Sequence, residues 1–110
     1  MPVTHIVLFS FKPGVSAEVI KDTTARMLAL KDNCIHPSSQ KPYIKSSIGG
    51  ADNSIEGMQN GITHAFVVEF ASVEDRDYYV KEDPAHREFV KSLDGIIEKA
   101  QVVDFTDRVY

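Results

Sequence analysis

Hydrophobic and polar positions along the chain switch between a period of two and a period near 3.6. Thr4 to Lys12 carries Ile6, Val7, Leu8, Phe9 and Phe11, residues that suit a pleated, half-buried backbone and predict a strand. Residues two apart share a strand face. His5, Val7, Phe9 and Phe11 therefore point one way, and Thr4, Ile6, Leu8 and Ser10 the other. Both faces are mostly apolar, so both are expected to be covered. Pro13-Gly14 ends the strand. Ser16 is placed to cap a helix running to about Asp32, with Ile20, Thr23, Met27 and Leu30 as its buried stripe. Asn33 to Lys41 reads as a loop and Tyr43 to Ile48 as a weaker strand. Gly49 to Gly61 holds four glycines and reads as a long polar connection, with room for part of it to extend the strands as a hairpin.

Ile62 to Phe70 predicts a second clear strand. His64, Phe66, Val68 and Phe70 share one face; Thr63, Ala65, Val67 and Glu69 share the other. Ser72 caps a helix to about Lys81, with Glu74 and Asp75 in its first turn and Val73, Tyr79 and Val80 facing inward. Asp83 then caps a helix that starts at Pro84, where a missing N–H costs nothing. Its apolar stripe is Phe89, Leu93, Ile96/Ile97 and Ala100, interrupted by Gly95 at about 1 kcal/mol relative to Ala. Gln101 to Val109 is the last strand, with Val103, Phe105 and Val109 on one face.

The order is β-α-β-β-α-β with the second helix broken in two. It predicts an α+β, ferredoxin-like fold, a four-stranded antiparallel sheet with helices on one face. Residues 1–110 form one domain, as the length suggests. The face without helices would expose Ile6, Leu8, Ala65 and Val67. A two-fold homodimer packed sheet on sheet is the simplest cover.

Composition narrows the function classes. The net charge is −4 with no Lys/Arg cluster, which argues against nucleic acid as a partner. No apolar run approaches the ~20 residues of a membrane span. The first residues lack a basic start followed by a long apolar run, so no secretory signal is expected. The single cysteine excludes an intramolecular disulfide and suits a reducing, cytoplasmic setting.

Three of the four histidines, His5, His64 and His86, fall on inward faces. Converging, they would place polar groups inside an apolar pocket, the usual anatomy of a small-molecule site. Phe66 and Ile97 would line it, and Tyr78 or Tyr79 is near enough in sequence to join. A histidine there can act as general base near neutral pH. The competing reading is three core histidines satisfied by backbone or by Thr and Tyr hydroxyls. No metal site is expected, because Cys34 and His36 are an isolated Cys/His pair and zinc wants three or four close ligands. No phosphate loop and no Gly-x-Ser-x-Gly elbow is present, and no cofactor motif is signalled.

The combined pattern resembles a known family. Thr4-His5-Ile6-Val7-Leu8-Phe9-Ser10-Phe11-Lys12 looks like its first strand, and Thr63-His64-Ala65-Phe66-Val67-Val68-Glu69-Phe70 like its central one. Ser72-Val73-Glu74, Tyr78-Tyr79, Asp83-Pro84-Ala85-His86 and Val103-Asp104-Phe105 follow in its order. The family is the stress-responsive A/B barrel domain, a dimeric α/β-barrel, with a more distant resemblance to plant olivetolic acid cyclase. The resemblance covers nearly the whole chain apart from Asn33 to Gly61. It implies a homodimer and a cavity between sheet and helices. It also offers one catalytic precedent, ring closure of a linear polyketide by intramolecular aldol condensation without a cofactor. Carried over by position, His86 would be the general base, Tyr79 or Tyr78 its supporting phenol, and His5 and His64 the pocket histidines. The chain departs from that pattern at Asp83, where the family motif has His. It also has one extra residue between the tyrosines and His86, a helical shift of about 100°. Three functions remain open: a small-molecule binding dimer with cyclase or aldol-type lyase chemistry, a non-catalytic stress-protective dimer, or an oxygen-using monooxygenase of a related ferredoxin-like barrel family.

Overall fold

A computed structural model describes residues 1–110. The elements are β1 (Val3–Phe11), α1 (Ala17–Asn33), β2 (Ile44–Ala51), β3 (His64–Phe70), α2 (Val73–Lys81), α3 (Pro84–Ser92) and β4 (Ile97–Phe105). The strands form one antiparallel sheet in the order β2-β3-β1-β4. The two strands richest in β-branched and aromatic residues, β1 and β3, take its centre. No helix is long and apolar enough to cross a membrane.

The inner face carries the core. Val7 and Phe9 of β1 and Phe66, Val68 and Phe70 of β3 pack against Met27 and Leu30 of α1, Tyr79 of α2 and Phe89 of α3. All three helix starts use the capping residues expected from sequence. Ser16 Oγ accepts from the Val19 N–H at 3.2 Å, and Ser72 Oγ from the Asp75 N–H at 3.1 Å. Asp83 accepts from the Ala85 N–H at 2.9 Å and the His86 N–H at 3.4 Å. Its second carboxylate oxygen takes the Tyr43 hydroxyl at 2.5 Å, although Asp83 is almost wholly buried. One side chain thus starts α3 and ties it to the residue that precedes β2.

Boundaries differ from the sequence expectation at the end of α3, at both ends of β4 and at the end of β2. The last helix ends at Ser92, not near Ala100, because Gly95 adopts φ +79°. A left-handed residue cannot continue a right-handed helix. The chain turns, the Lys12 N–H donates to the Ile96 carbonyl at 2.8 Å, and Ile97 and Ala100 become strand residues paired with β1. β4 therefore starts before Gln101 and stops at Phe105, short of Val109. β2 in turn runs on through Gly49 and Gly50. A Cβ on Gly49 would lie 2.2 Å from Cδ1 of Phe66 and 2.8 Å from the Ala65 carbonyl oxygen. That glycine is a close-approach residue within a strand rather than a loop residue.

The outer face carries no helix. Pairing register aligns Ile48, Val67, Ile6 and Val103 in one row across all four strands. Ile48 is 67% and Val103 57% exposed, while Ile6 and Val67 are half-buried.

Replacing Asp83 by Ala uncaps α3 and strands the Tyr43 hydroxyl. The expected loss is about 2–4 kcal/mol of unfolding free energy, against about 1 kcal/mol for Tyr43→Phe, both read by urea denaturation.

Candidate functional site

Strand alternation turns His5 inward from β1, and register sets it opposite Asp104 on β4. Nδ1 of His5 lies 2.6 Å from one Asp104 carboxylate oxygen. The other oxygen accepts from Nη1 of Arg76 on α2 at 2.9 Å. The three side chains form a continuous chain from the edge of the helix layer to the interior. With Nδ1 engaged by a carboxylate, the ring is fixed in orientation and Nε2 is the nitrogen left for a ligand.

Tyr79 and His86 meet the same space from α2 and α3. The His86 ring stacks on Tyr79 with centroids 4.0 Å apart and planes inclined by 31°. The His5 ring stands edge-on to Tyr79 at 5.8 Å. Nδ1 of His86 is buried and makes no hydrogen bond of good geometry, and the Tyr79 carbonyl is close enough to act on the ring. Burial holds the His86 imidazole below its ordinary range, and nearby His5 acts in the same direction; the Tyr79 carbonyl and Asp83 oppose the shift. Burial pushes the Tyr79 phenol up, so it stays protonated at neutral pH and can donate a hydrogen bond.

These three side chains border one cavity of about 350 Å³ between the sheet and the helices. Apolar groups complete it, among them Val7 and Phe9 of β1, Met27, Phe89 and Val102. It lies over the β1–β4 half of the sheet, because α1 packs over β2 and closes the other half.

That placement separates the expected residues into two groups. His5, Tyr79 and His86 come together. His64, Phe66, Ile97 and Tyr78 do not border the cavity. His64 sits at the start of β3, 2.8 Å from the Thr63 hydroxyl through Nδ1, with its ring edge-on to Phe11 at 5.1 Å. Phe66 is wholly buried on β3 and covers Gly49. Ile97 opens β4 at the edge of the core. Tyr78 leaves α2 on another side and packs with His36 at 5.5 Å and Tyr43 at 5.7 Å. The expected pocket of His64, Phe66, His86 and Ile97 is therefore replaced by one built on β1 and β4. The one-residue insertion before His86 does not part it from Tyr79; α2 and α3 are separate helices, so no common helical phase links them. Asp104 and Arg76 were missed as site residues. The signal lay in Asp104, a lone carboxylate among Val102, Val103 and Phe105 on a strand paired with the histidine-bearing one.

Other candidate chemistry is weaker. The Cys34 thiol is fully buried and pushed up to about 12, mainly by burial and then by Asp83, so it is no nucleophile at neutral pH. No group of three or more His, Cys, Asp or Glu side chains is arranged to hold a metal ion. A wider depression between Asp52 and Thr63 is polar and open, and the Asp52 carboxylate there is already engaged by Ser54 and Gln59.

The depressed His86 titration predicts a pH effect on stability. An unfolded histidine titrates near 6.5, so below that pH the unfolded chain binds the proton that folded His86 refuses. Stability present above 6.5 is then lost as pH falls toward the folded value. Between about pH 7 and about pH 5, unfolding free energy should fall more for the wild type than for His86→Phe. Parallel pH profiles for the two proteins would show that burial does not hold the proton off.

Comparison with known proteins follows this geometry. The family model of the stress responsive A/B barrel domain matches residues 3–107. The chain is 38% identical over 104 residues to the stress-response A/B barrel domain-containing protein HS1 of Arabidopsis thaliana, covering 94% of this chain and 88% of that protein. A crystal structure of an Arabidopsis thaliana protein superposes with TM-score 0.82 at 35% identity, over 98% of this chain and 97% of the other. A hydroxynitrile lyase from Passiflora edulis gives TM-score 0.80 at 26% identity, over 99% and 96%. A dimeric ferredoxin-like protein of unknown function from Thermobifida fusca shares the fold at 19% identity and TM-score 0.73, over 96% and 91%. With its βαββαβ order, helices on one sheet face and a family match spanning nearly every residue, this chain belongs to the stress-responsive A/B barrel domain family.

Proposed function

We propose that the protein is a homodimer that binds a small apolar or aromatic carbonyl compound in the cavity between sheet and helices. There it carries out cofactor-free lyase or aldol-type chemistry on a carbon–carbon bond next to the carbonyl. The observation that carries this reading is the convergence of His5, Tyr79 and His86 on one apolar cavity. The Passiflora edulis relative, a hydroxynitrile lyase, supports it, because cleaving a hydroxynitrile and cleaving an aldol both begin when a base takes the proton of the hydroxyl beside the carbon–carbon bond that breaks.

In the bond-forming direction, neutral His86 takes a proton alpha to the carbonyl. The Tyr79 hydroxyl donates a hydrogen bond to the enolate oxygen. The enolate carbon attacks a second carbonyl carbon, and the alkoxide so formed takes its proton back from His86. Atoms balance without a cofactor. Cleavage runs the same steps in reverse. His5, held by Asp104, presents Nε2 to the second oxygen. A depressed imidazole favours the neutral form that a base requires.

The homodimer rests on the outer face. The row Ile48, Val67, Ile6 and Val103 spans the sheet without helical cover, and relatives of the same fold are dimeric. A second copy packed sheet on sheet would bury it. A specific observation also favours the non-catalytic, stress-protective alternative: His64 is satisfied by Thr63 and packed on Phe11, and does not line the inner cavity. Under that alternative His5 and His86 are core residues too.

Cleavage of β-hydroxy ketones and of mandelonitrile, followed by aldehyde release, separates the two readings. His86→Ala should lower turnover by about 10²-fold or more, with a smaller loss for Tyr79→Phe. Unchanged turnover would remove His86 from the mechanism; no turnover of any such compound by the wild type would favour the protective role. Light scattering tests the assembly. The wild type should have twice the chain mass of 12.3 kDa, and Val67→Glu, which puts a charge in the middle of the row, should have the mass of one chain.

A further inference from the structure

The entrance to the cavity differs in character from its interior. Val80, His86 and Val90 border the inner cavity and also a shallower depression on the helix surface, of about 460 Å³, which adds Arg87 and Lys91. The two spaces share three lining residues and so adjoin at Val80, His86 and Val90. Helix spacing explains the pairing: His86 and Val90 are four apart on α3, as are Arg87 and Lys91 beside them. The first pair turns toward the cavity and the second stands at its rim.

Both rim cations lack a carboxylate partner. Arg26, Arg76 and Arg108 each have an Asp oxygen within 4 Å; Arg87 is the one arginine without one, and Lys91, like the other lysines, has none. Glu88, the acid between them in sequence, borders a different depression with Arg26 and Ser92 on another side of α3. Nη2 of Arg87 donates to the Lys81 carbonyl, which holds the guanidinium across the seam between α2 and α3. Inside, by contrast, there is no lysine or arginine, and His5 is already matched by Asp104. A chain of net charge −4 thus places two unmatched cations at the mouth of its apolar cavity.

We infer that the ligand is an apolar or aromatic carboxylate, its hydrocarbon body in the cavity and its carboxylate at the rim against Arg87 and Lys91. This rests on the cavity being the ligand site, as proposed above. It narrows the substrate class to oxo or hydroxy carboxylic acids. It also orients them, with the carboxylate end outward and the remote carbon–carbon bond near Tyr79 and His86.

Isothermal titration calorimetry with phenylbutyrate and with its uncharged isostere phenylbutyramide tests this. The wild type should bind the carboxylate about tenfold more tightly than the amide at low salt. In the Arg87→Gln/Lys91→Gln double variant, whose changes are on the surface, the two probes should bind alike. The wild-type preference should also shrink at high ionic strength. Equal binding of the two probes by the wild type would overturn the inference and leave the cavity standing as a ligand site. A preference that survives in the double variant would overturn it too. If neither probe binds the wild type, the inference falls together with the cavity reading.

Discussion

Three helices cover one face of a four-stranded sheet, and the other face is also apolar. Most of the structure follows from that mismatch. The inner face gains its core from Phe66, Val68 and Phe70 against α1 and α2. The outer face is left with a row of Ile48, Val67, Ile6 and Val103. At roughly 25 cal/mol per Å² of apolar surface, a row exposed to water is a standing incentive for association. A second copy packed on it would satisfy it without adding chain length.

The same arrangement makes room for a cavity in so small a domain. α1 lies over β2, so the helices do not fill the layer evenly. Above β1 and β4 the space is closed by Tyr79, His86 and Phe89, with about 350 Å³ left between them. Polar groups in that space are managed in two ways. His5 is fully engaged at Nδ1 by a carboxylate that Arg76 engages in turn. His86 makes no hydrogen bond of good geometry through its Nδ1.

Asp83 shows how a local signal acquires a second task. Its place before Pro84 marks a helix start in any reading of the chain. Its burial and its bond to the Tyr43 hydroxyl are long-range facts. Here one carboxylate does the capping with both oxygens occupied.

The chain's alternation determined the strands, their two apolar faces, the helix caps and hence the fold class, because each is a property of residues within one turn or one pleat of each other. It also marked His5, Tyr79 and His86 as inward. Where the last helix ends, and that Gly49 belongs to a strand, depend on φ at Gly95 and on the Phe66 ring pressed against the backbone. Neither is visible in spacing. The grouping of the inward residues was likewise decided by the tertiary structure. Periodicity says which face a side chain takes, but the half of the sheet left open depends on where α1 comes to rest. That is why His5 with Asp104, rather than His64 with Phe66, shares the cavity with His86.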